Sequence, residues 1–371
     1  MYLKRLSLLN FKNYFEVEIL PDAGVNAFVG GNGEGKTNLL YAIQYLSICK
    51  SYFNAIDGQN IKQEEDFFVV QGSFEVEESE ENISCSFKRG QKKVFKRNQK
   101  EYERLAEHVG MIPVVMVSPT DTTLITGGSE ERRKFPDSII SQFDRNYLES
   151  LISYSRILMQ RNAFLKQLSQ GRSVDSESLH LWDEQLVAFG EKIHIARLGF
   201  IEELIPVFRH YYNYLAGNKE SVDIRYDSQL NKNNFLSLLQ ESEERDHYLQ
   251  YTSIGPHKDD LIFIINNLPV KRFASQGQQK SFLIALKLAQ FEFVSKKKGL
   301  KPILLLDDIF DKLDDKRVGK LMELVSSDNF GQIFITDTHP ERLLTIFDKI
   351  GVQIKCFPIV DGEIVFSKFV N

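Results

Sequence analysis

The residues best equipped for chemistry lie near the start of the chain. Gly30-Gly31-Asn32-Gly33-Glu34-Gly35-Lys36-Thr37 fits the G-x-x-x-x-G-K-[ST] pattern, and Asn38-Leu39-Leu40 continues it as a helix. Glycines let a backbone wrap closely around a polyphosphate, and the loop amides and the helix N-terminus face the anion. In that arrangement Lys36 reaches the β and γ oxygens and Thr37 ligates Mg²⁺. Such a metal needs a second acid at the end of a buried strand. Pro302-Ile303-Leu304-Leu305-Leu306-Asp307-Asp308 supplies it: Asp307 as the Mg²⁺-side carboxylate, Asp308 as the residue that orients an attacking water. The expected ligands are therefore ATP and Mg²⁺. The expected catalytic set is Lys36, Asp307 and Asp308, with Gly30 through Asn38 around the nucleotide and Thr37 and Asp307 on the metal.

Elements of two kinds must position these groups. The first 76 residues alternate in the manner of strands, as in Tyr2-Leu3-Lys4-Arg5-Leu6 and Val25-Asn26-Ala27-Phe28-Val29, around a helical stretch that starts at Lys36. From about Glu131 to Phe208 the period becomes helical. Tyr147, Leu151, Tyr154, Leu158, Leu165 and Leu168 form one stripe, which Arg161 interrupts; Leu179, Trp182, Leu186, Phe189, Ile193, Ala196 and Phe200 form a second. The polar segment Ser169 to Ser178 separates them, so two antiparallel helices joined by a turn are expected. At about 25 residues and ~38 Å each, they make a short arm, with Pro206 kinking or ending the second helix. After Gly255 the mixed pattern returns: a hairpin at Asn266-Asn267, a helix from about Gln278 to Lys297, strand Ile303 to Leu306, a helix from Lys316 to Ser326, and strand Gln332 to Thr336. The chain is thus expected to be an α/β P-loop head formed by 1–128 and 251–371, with a helical-arm domain, 129–250, inserted between its halves.

With 371 residues, 42% hydrophobic and 26% charged, the chain has the balance of a soluble globular protein of about two domains. No apolar run reaches the length of a membrane span and no signal peptide precedes the first strand, so a cytoplasmic location without membrane contact is expected. Cys49, Cys85 and Cys356 show no paired spacing and are expected to be reduced and mostly buried. The net charge of -5 offers no global attraction to nucleic acid, so such contact requires a local basic surface. Lys92, Lys93 and Lys96 stand in a basic run, Lys88 to Lys100, with Gly90-Gln91 as a turn; the alternation suits either phosphate contacts or a solvated edge whose lysines block strand aggregation. Arg132, Arg133 and Lys134 open the arm, where they fit a phosphate or salt bridges to Glu130 and Glu131 equally well. His257-Lys258-Asp259-Asp260 reads as a contact between lobes or copies rather than a metal site. The acidic run Glu75, Glu77, Glu78, Glu80 and Glu81 reads as a solvated hairpin tip.

Ala274-Ser275-Gln276-Gly277-Gln278-Gln279-Lys280 resembles the signature loop of ABC ATPases, and Phe310-Asp311-Lys312-Leu313-Asp314 resembles their D-loop. This resemblance implies an ABC-type head in which Ser275, Gly277 and Gln278 of one copy cap the nucleotide held by another, so that ATP joins a homodimer. A second resemblance is narrower. Asn10-Phe11-Lys12-Asn13-Tyr14, Ser118-Pro119-Thr120-Asp121, Gln160-Arg161-Asn162, Leu181-Trp182-Asp183, Gly255-Pro256-His257-Lys258-Asp259-Asp260 and Ser275-Gln276-Gly277-Gln278-Gln279-Lys280 are similar to stretches of the RecF family and span nearly the whole chain. That family implies recombinational DNA repair and replication restart. It implies binding of gapped, double- and single-stranded DNA, cooperation with RecO and RecR, and a weak DNA-stimulated ATPase. The chain departs from the family at Pro136 and at Phe53 after Lys50-Ser51-Tyr52. The switch-histidine position holds Asp337, with His339 two residues on. A long coiled-coil SMC protein would need hundreds of residues between the lobes, which this chain does not have.

Overall fold

The chain opens as a hairpin of β1 (Tyr2–Phe11) and β2 (Tyr14–Ile19), followed by β3 (Val25–Val29) and α1 (Lys36–Ile48). These come from a computed structural model that describes residues 1–49, 56–169, 177–312, 315–326, 329–365 and 368–370. The loop Lys50 to Phe53, most of the turn between the arm helices, and Leu313 and Asp314 of the D-loop-like segment lie outside the described residues. β4 (Phe67–Val76) and β5 (Ser79–Lys88) pair along their whole length. Their turn is made by Glu77 and Glu78, both at positive φ, as a two-residue hairpin requires. β6 (Val94–Arg97) and β7 (Lys100–Glu101) extend an antiparallel sheet of order β2-β1-β4-β5-β6-β7. Its apolar face, including Leu3, Leu8, Phe68, Phe74 and Phe95, shares one buried core with Leu39, Ile43 and Leu46 of α1. β8 (Val114–Val117) then leaves this layer.

The acidic run is only partly a solvated tip. Glu81 is buried and receives both Nε (2.8 Å) and Nη2 (2.6 Å) of Arg97, while Glu75 and Glu80 draw in Lys4. Only the tertiary pairing of β5 with β6 brings Arg97 opposite this end of the strand.

The next stretch comprises α2 (Thr122–Thr126), α3 (Ser129–Ile140), the long helices α4 (Arg145–Ser169) and α5 (Glu177–Ala216), β9 (Val222–Asp227), α6 (Phe235–Glu241), α7 (Glu243–Leu249), β10 (Asp260–Ile265), β11 (Leu268–Pro269) and α8 (Val270–Phe273). α4 and α5 run antiparallel. Arg161 meets Asp183, the Tyr154 ring lies where a Cβ on Gly190 would stand 3.1 Å from it, and Tyr147 meets Arg197, so each step of seven along one helix is matched by seven back along the other. Of the two outcomes expected at Pro206, a kink or an end, the helix does not end there: α5 runs through it to Ala216. Phe200, Leu204, Phe208 and Tyr212 keep a buried stripe across the proline, and burying such side chains at about 1.5–3 kcal/mol each offsets the ~3 kcal/mol that an interior proline costs. Asn266 and Asn267, both at positive φ, turn β10 into β11.

The chain then continues through α9 (Gln276–Lys298), β12 (Ile303–Leu306), α10 (Asp315–Val325), β13 (Ile333–Asp337), α11 (Pro340–Ile350), β14 (Ile354–Val360), β15 (Glu363–Ile364) and β16 (Lys368–Val370). β8, β12, β13, β3 and β14 lie side by side in parallel, in that order, with β15 and β16 pairing β14. β3, β12 and β13 are buried at every residue; β12 accordingly reads as an unbroken apolar run, while β3 and β13 carry the buried polar residues Asn26, Thr336 and Asp337.

Two compact units result: Met1–Asp121 with Tyr214–Gly217 and Lys280–Asn371, and Thr122–Asn213 with Asn218–Gln279. The expected boundaries at 128 and 251 differ from these. Residues 251–279 fold with the arm because β10 pairs β9 and the loop before β10 is anchored on α3, α4 and α5.

Candidate active site

β3 delivers the glycine-rich loop at its C-terminal end, and α1 starts at Lys36. Gly35, at φ 108°, is the helix N-cap, and a Cβ there would stand 2.3 Å from Nδ2 of Asn13. A Cβ on Gly30 would meet the carbonyl oxygen of Ile359 at 2.3 Å. Both positions therefore need glycine. Lys36 is buried, and its Nζ donates to the carbonyl oxygens of Gly30 (2.9 Å) and Gly31 (2.6 Å). This folds the ammonium back over its own loop. Glu34 accepts the backbone N–H of Asp361, which ties the loop to the end of β14.

Parallel pairing of β12 and β13 beside β3 brings the second acid to the loop. Thr37 Oγ1 donates to Asp307 Oδ1 at 2.8 Å across 270 positions of sequence. Thr336 Oγ1 donates to the same oxygen at 2.9 Å and accepts the N–H of Asp308 at 2.9 Å. Burial pushes the Asp307 carboxyl up to about 6, the hydroxyls of Thr37 and Thr336 acting against it. Asp308 follows at φ 44°, a left-handed conformation that aspartate tolerates better than most residues.

These donors fit Mg²⁺. One carboxylate and one hydroxyl beside a phosphate-binding loop leave the remaining positions to phosphate oxygens and water, as this ion prefers. Among the described residues, no group of three or more His, Cys, Asp or Glu side chains is placed to hold a metal by protein ligands alone.

Three groups absent from the expected set are also built into the site. Asn13 donates to the carbonyl oxygen of Glu34 (3.0 Å) and accepts from Asn38 (2.8 Å), bracing both ends of the loop. Lys62 holds the carbonyl of Asn13 at 2.7 Å. Thr336 is the third. Its signal was present in sequence, as a hydroxyl at the end of an apolar strand, but only sheet order selects it. Asp337, at the switch position, is buried and held by Arg342, with Nε at 3.1 Å and Nη2 at 3.0 Å, and it also accepts the N–H of His339. His339 is exposed and stands at the N-cap position of α11 without a side-chain capping bond.

The signature-like loop lies in the second unit. Ser275 Oγ accepts the N–H of Gln278 (3.3 Å), and Gln278 Oε1 accepts the N–H of Ser275 (2.7 Å), a reciprocal cap at the start of α9. Gln278 Nε2 reaches Glu220 at 2.6 Å. Ser275 is exposed; Gly277 and Gln278 are half-buried.

Residues 2–355 match the family model described as the RecF/RecN/SMC N terminal domain. The DNA replication and repair protein RecF of Flavobacterium johnsoniae is 52% identical over 357 residues, 96% of this chain and 99% of that protein. The chain belongs to the RecF family. The protein of the same name from Bacteroides fragilis is 49% identical over 365 residues, 98% of each chain. A solved structure of the recombination mediator protein RecF with ATP, in the RecFOR pathway, superposes with a TM-score of 0.89 at 30% identity, covering 100% of this chain and 98% of that one. An Smc head bound to the C-winged helix domain of ScpA, 18% identical with a TM-score of 0.59, shares the fold. This RecF-family chain thus has an ABC-type ATPase head with inserted helices. Among the described residues, no helix is long and apolar enough to cross a membrane.

The candidate DNA contacts separate once placed. Lys93 is only 12% exposed: its Nζ donates to the carbonyl of Cys49 (2.7 Å), pairs with Asp57 (3.0 Å) and lies over the Tyr45 ring. It is a structural cation, because the fold of β6 against α1 turns it inward. Lys92 is exposed, and Lys96 sits half-buried on the outward face of the sheet beside Ser84. Arg132 is likewise spent, as both Nε (2.6 Å) and Nη2 (2.8 Å) grip Asp260. Arg133 Nη1 holds the carbonyl of Asp259 at 2.8 Å. Lys134, not the arginines, pairs with Glu130 and Glu131.

The loop read as a contact between lobes or copies is an internal hub. His257 lies between Tyr154 (2.7 Å) and the carbonyl of Thr252 (3.0 Å), and burial pushes its imidazole down to about 4. Asp259 takes Arg197 and the Tyr226 hydroxyl.

Proposed function

We propose that this chain is an ATP-driven DNA clamp of recombinational repair and replication restart. The observation that carries the reading is the 2.8 Å contact from Thr37 to Asp307, which joins the loop motif to the second acid. In this reading the amides from Gly30 to Asn38 cradle the phosphates of ATP and Lys36 leaves its carbonyl partners for the β and γ oxygens. Thr37 and Asp307 hold Mg²⁺, which neutralises charge on the phosphate oxygens when bound. Asp308 orients the water, since Asp337 is engaged by Arg342 and His339 stands at the surface.

Ser275, Gly277 and Gln278 of a second copy cap the γ-phosphate, where an exposed serine at a helix start suits an anion. The closed homodimer grips duplex beside single strand at a gap, and slow, DNA-stimulated hydrolysis releases it. RecO and RecR are the partners suggested by solved relatives of the RecFOR pathway. With Mg²⁺·ATP, sedimentation should move the wild-type protein from monomer to dimer and leave Lys36→Ala monomeric. Ser275→Arg should bind ATP and also stay monomeric. Equal dimer fractions with and without ATP in the wild type would end the sandwich reading.

A further inference from the structure

Around the loop before β10, the paired and the unpaired charges divide cleanly. Asp246 is held by Arg161, Asp259 by Arg197, and Asp260 by Arg132. Lys258 stands at the same loop with no carboxylate within ion-pair distance among the described residues. Its Nζ lies over the Tyr251 ring, 4.6 Å from the centroid. Arg133 spends one guanidinium nitrogen on a neutral backbone carbonyl and keeps its charge. Burial holds the Lys258 ammonium below the usual lysine range, and the like charges of Arg133 and Arg245 push it the same way against Asp246. Arg133 and Arg245 therefore lie within electrostatic reach of Lys258, and among the described residues none of these three cations has a carboxylate within ion-pair distance.

Beside them two aromatic rings face solvent. Tyr248 is 86% exposed and Tyr251 is 41% exposed. They flank Gln250, whose positive φ ends α7, and Arg245 precedes Tyr248 by three residues, so both lie on one face of that helix. A tyrosine this exposed adds little to the core, yet it offers a flat apolar face next to positive charge. Glu244, exposed on the same helix, adds a negative charge to this surface, so the rings set the preference as much as the cations do.

We propose that Tyr248, Tyr251, Lys258, Arg133 and Arg245 form a docking face for single-stranded DNA, the rings stacking on unpaired bases and the cations following the phosphates. A duplex keeps its bases stacked on one another and has nothing to offer the rings, whereas a single strand satisfies both halves of the face. The inference rests on the DNA-clamp reading and assigns the unpaired strand of the gap to the arm-bearing unit.

The test titrates the full-length protein with a labelled thymidine oligonucleotide and with a blunt duplex, by fluorescence anisotropy over a range of salt. Tyr248→Ala is expected to weaken single-strand binding about tenfold and to leave duplex binding unaltered. Tyr248→Phe, which keeps the ring, is expected to bind as wild type does. Arg245→Gln is expected to lower the salt slope for the single strand by about 0.7. Unchanged single-strand affinity in Tyr248→Ala, or an equal loss on both substrates, would overturn the assignment while leaving the clamp intact. A wild-type protein that retains neither substrate, with or without ATP, would overturn both.

Discussion

Replacing Asp307 with asparagine is expected to stabilise the nucleotide-free protein at pH 8 while disabling it. The wild-type carboxyl is pushed from 3.8 to about 6, chiefly by burial between β12 and its neighbours. At about 1.4 kcal/mol per tenfold change in proton affinity, keeping it ionised costs the folded state roughly 3 kcal/mol. The folded form binds this proton more tightly than the unfolded chain does. The stabilisation is therefore complete below about pH 4 and is lost as the pH rises through 6. Asparagine carries no charge, and its carbonyl can still accept from Thr37 and Thr336. Linkage then gives the variant an advantage of about 3 kcal/mol at pH 8 that falls to about 1.5 kcal/mol at pH 5. Urea unfolding of both proteins in chelator at the two pH values measures this directly. Adding Mg²⁺·ATP at pH 8 should raise the wild-type midpoint by more than that of the variant, which keeps the phosphate loop and Thr37 but has lost the anionic ligand of the ion. A stability difference that is the same at pH 5 and pH 8, or a less stable variant at pH 8, would refute the reasoning.

Two further outcomes follow from buried cations. Arg161→Met strands the carboxylates of Asp183 and Asp246 in the arm, and should cost about 3–5 kcal/mol, read as a fall in melting temperature of roughly 10 °C; a loss under about 1 kcal/mol would contradict the buried network. Lys93→Met removes the donor shared by Cys49 and Asp57 and should cost about 1–3 kcal/mol, with the salt dependence of DNA binding unchanged; an altered slope would return this lysine to the DNA surface.

Some of the site was legible because its chemistry is local. The loop from Gly30 to Thr37 is one continuous segment whose glycines, lysine and threonine act through their own backbone, so spacing alone identifies it. Asp307 and Asp308 were legible because a strand buried on both faces is an unbroken apolar run, and a carboxylate at its end is conspicuous. Arg161 stood out as a polar break in an apolar stripe, although its two acids, 22 and 85 positions away, did not.

Charge was the least legible property. Lys93, Arg132 and Arg133 look like Lys92 and Lys258 in sequence, and whether a cation faces solvent depends on which strand or loop folds beside it. Asn13, Thr336 and Arg342 were missed for the same reason: each acts on a partner chosen by strand order or loop packing. The amino-acid sequence by itself determined the phosphate loop, the acidic strand end, the helical arm and the family, because each is written in contiguous residues or in a period. Tertiary structure alone decided which charges are spent and which remain available, since an ion pair is settled by distances of a few ångströms between groups that sequence places far apart.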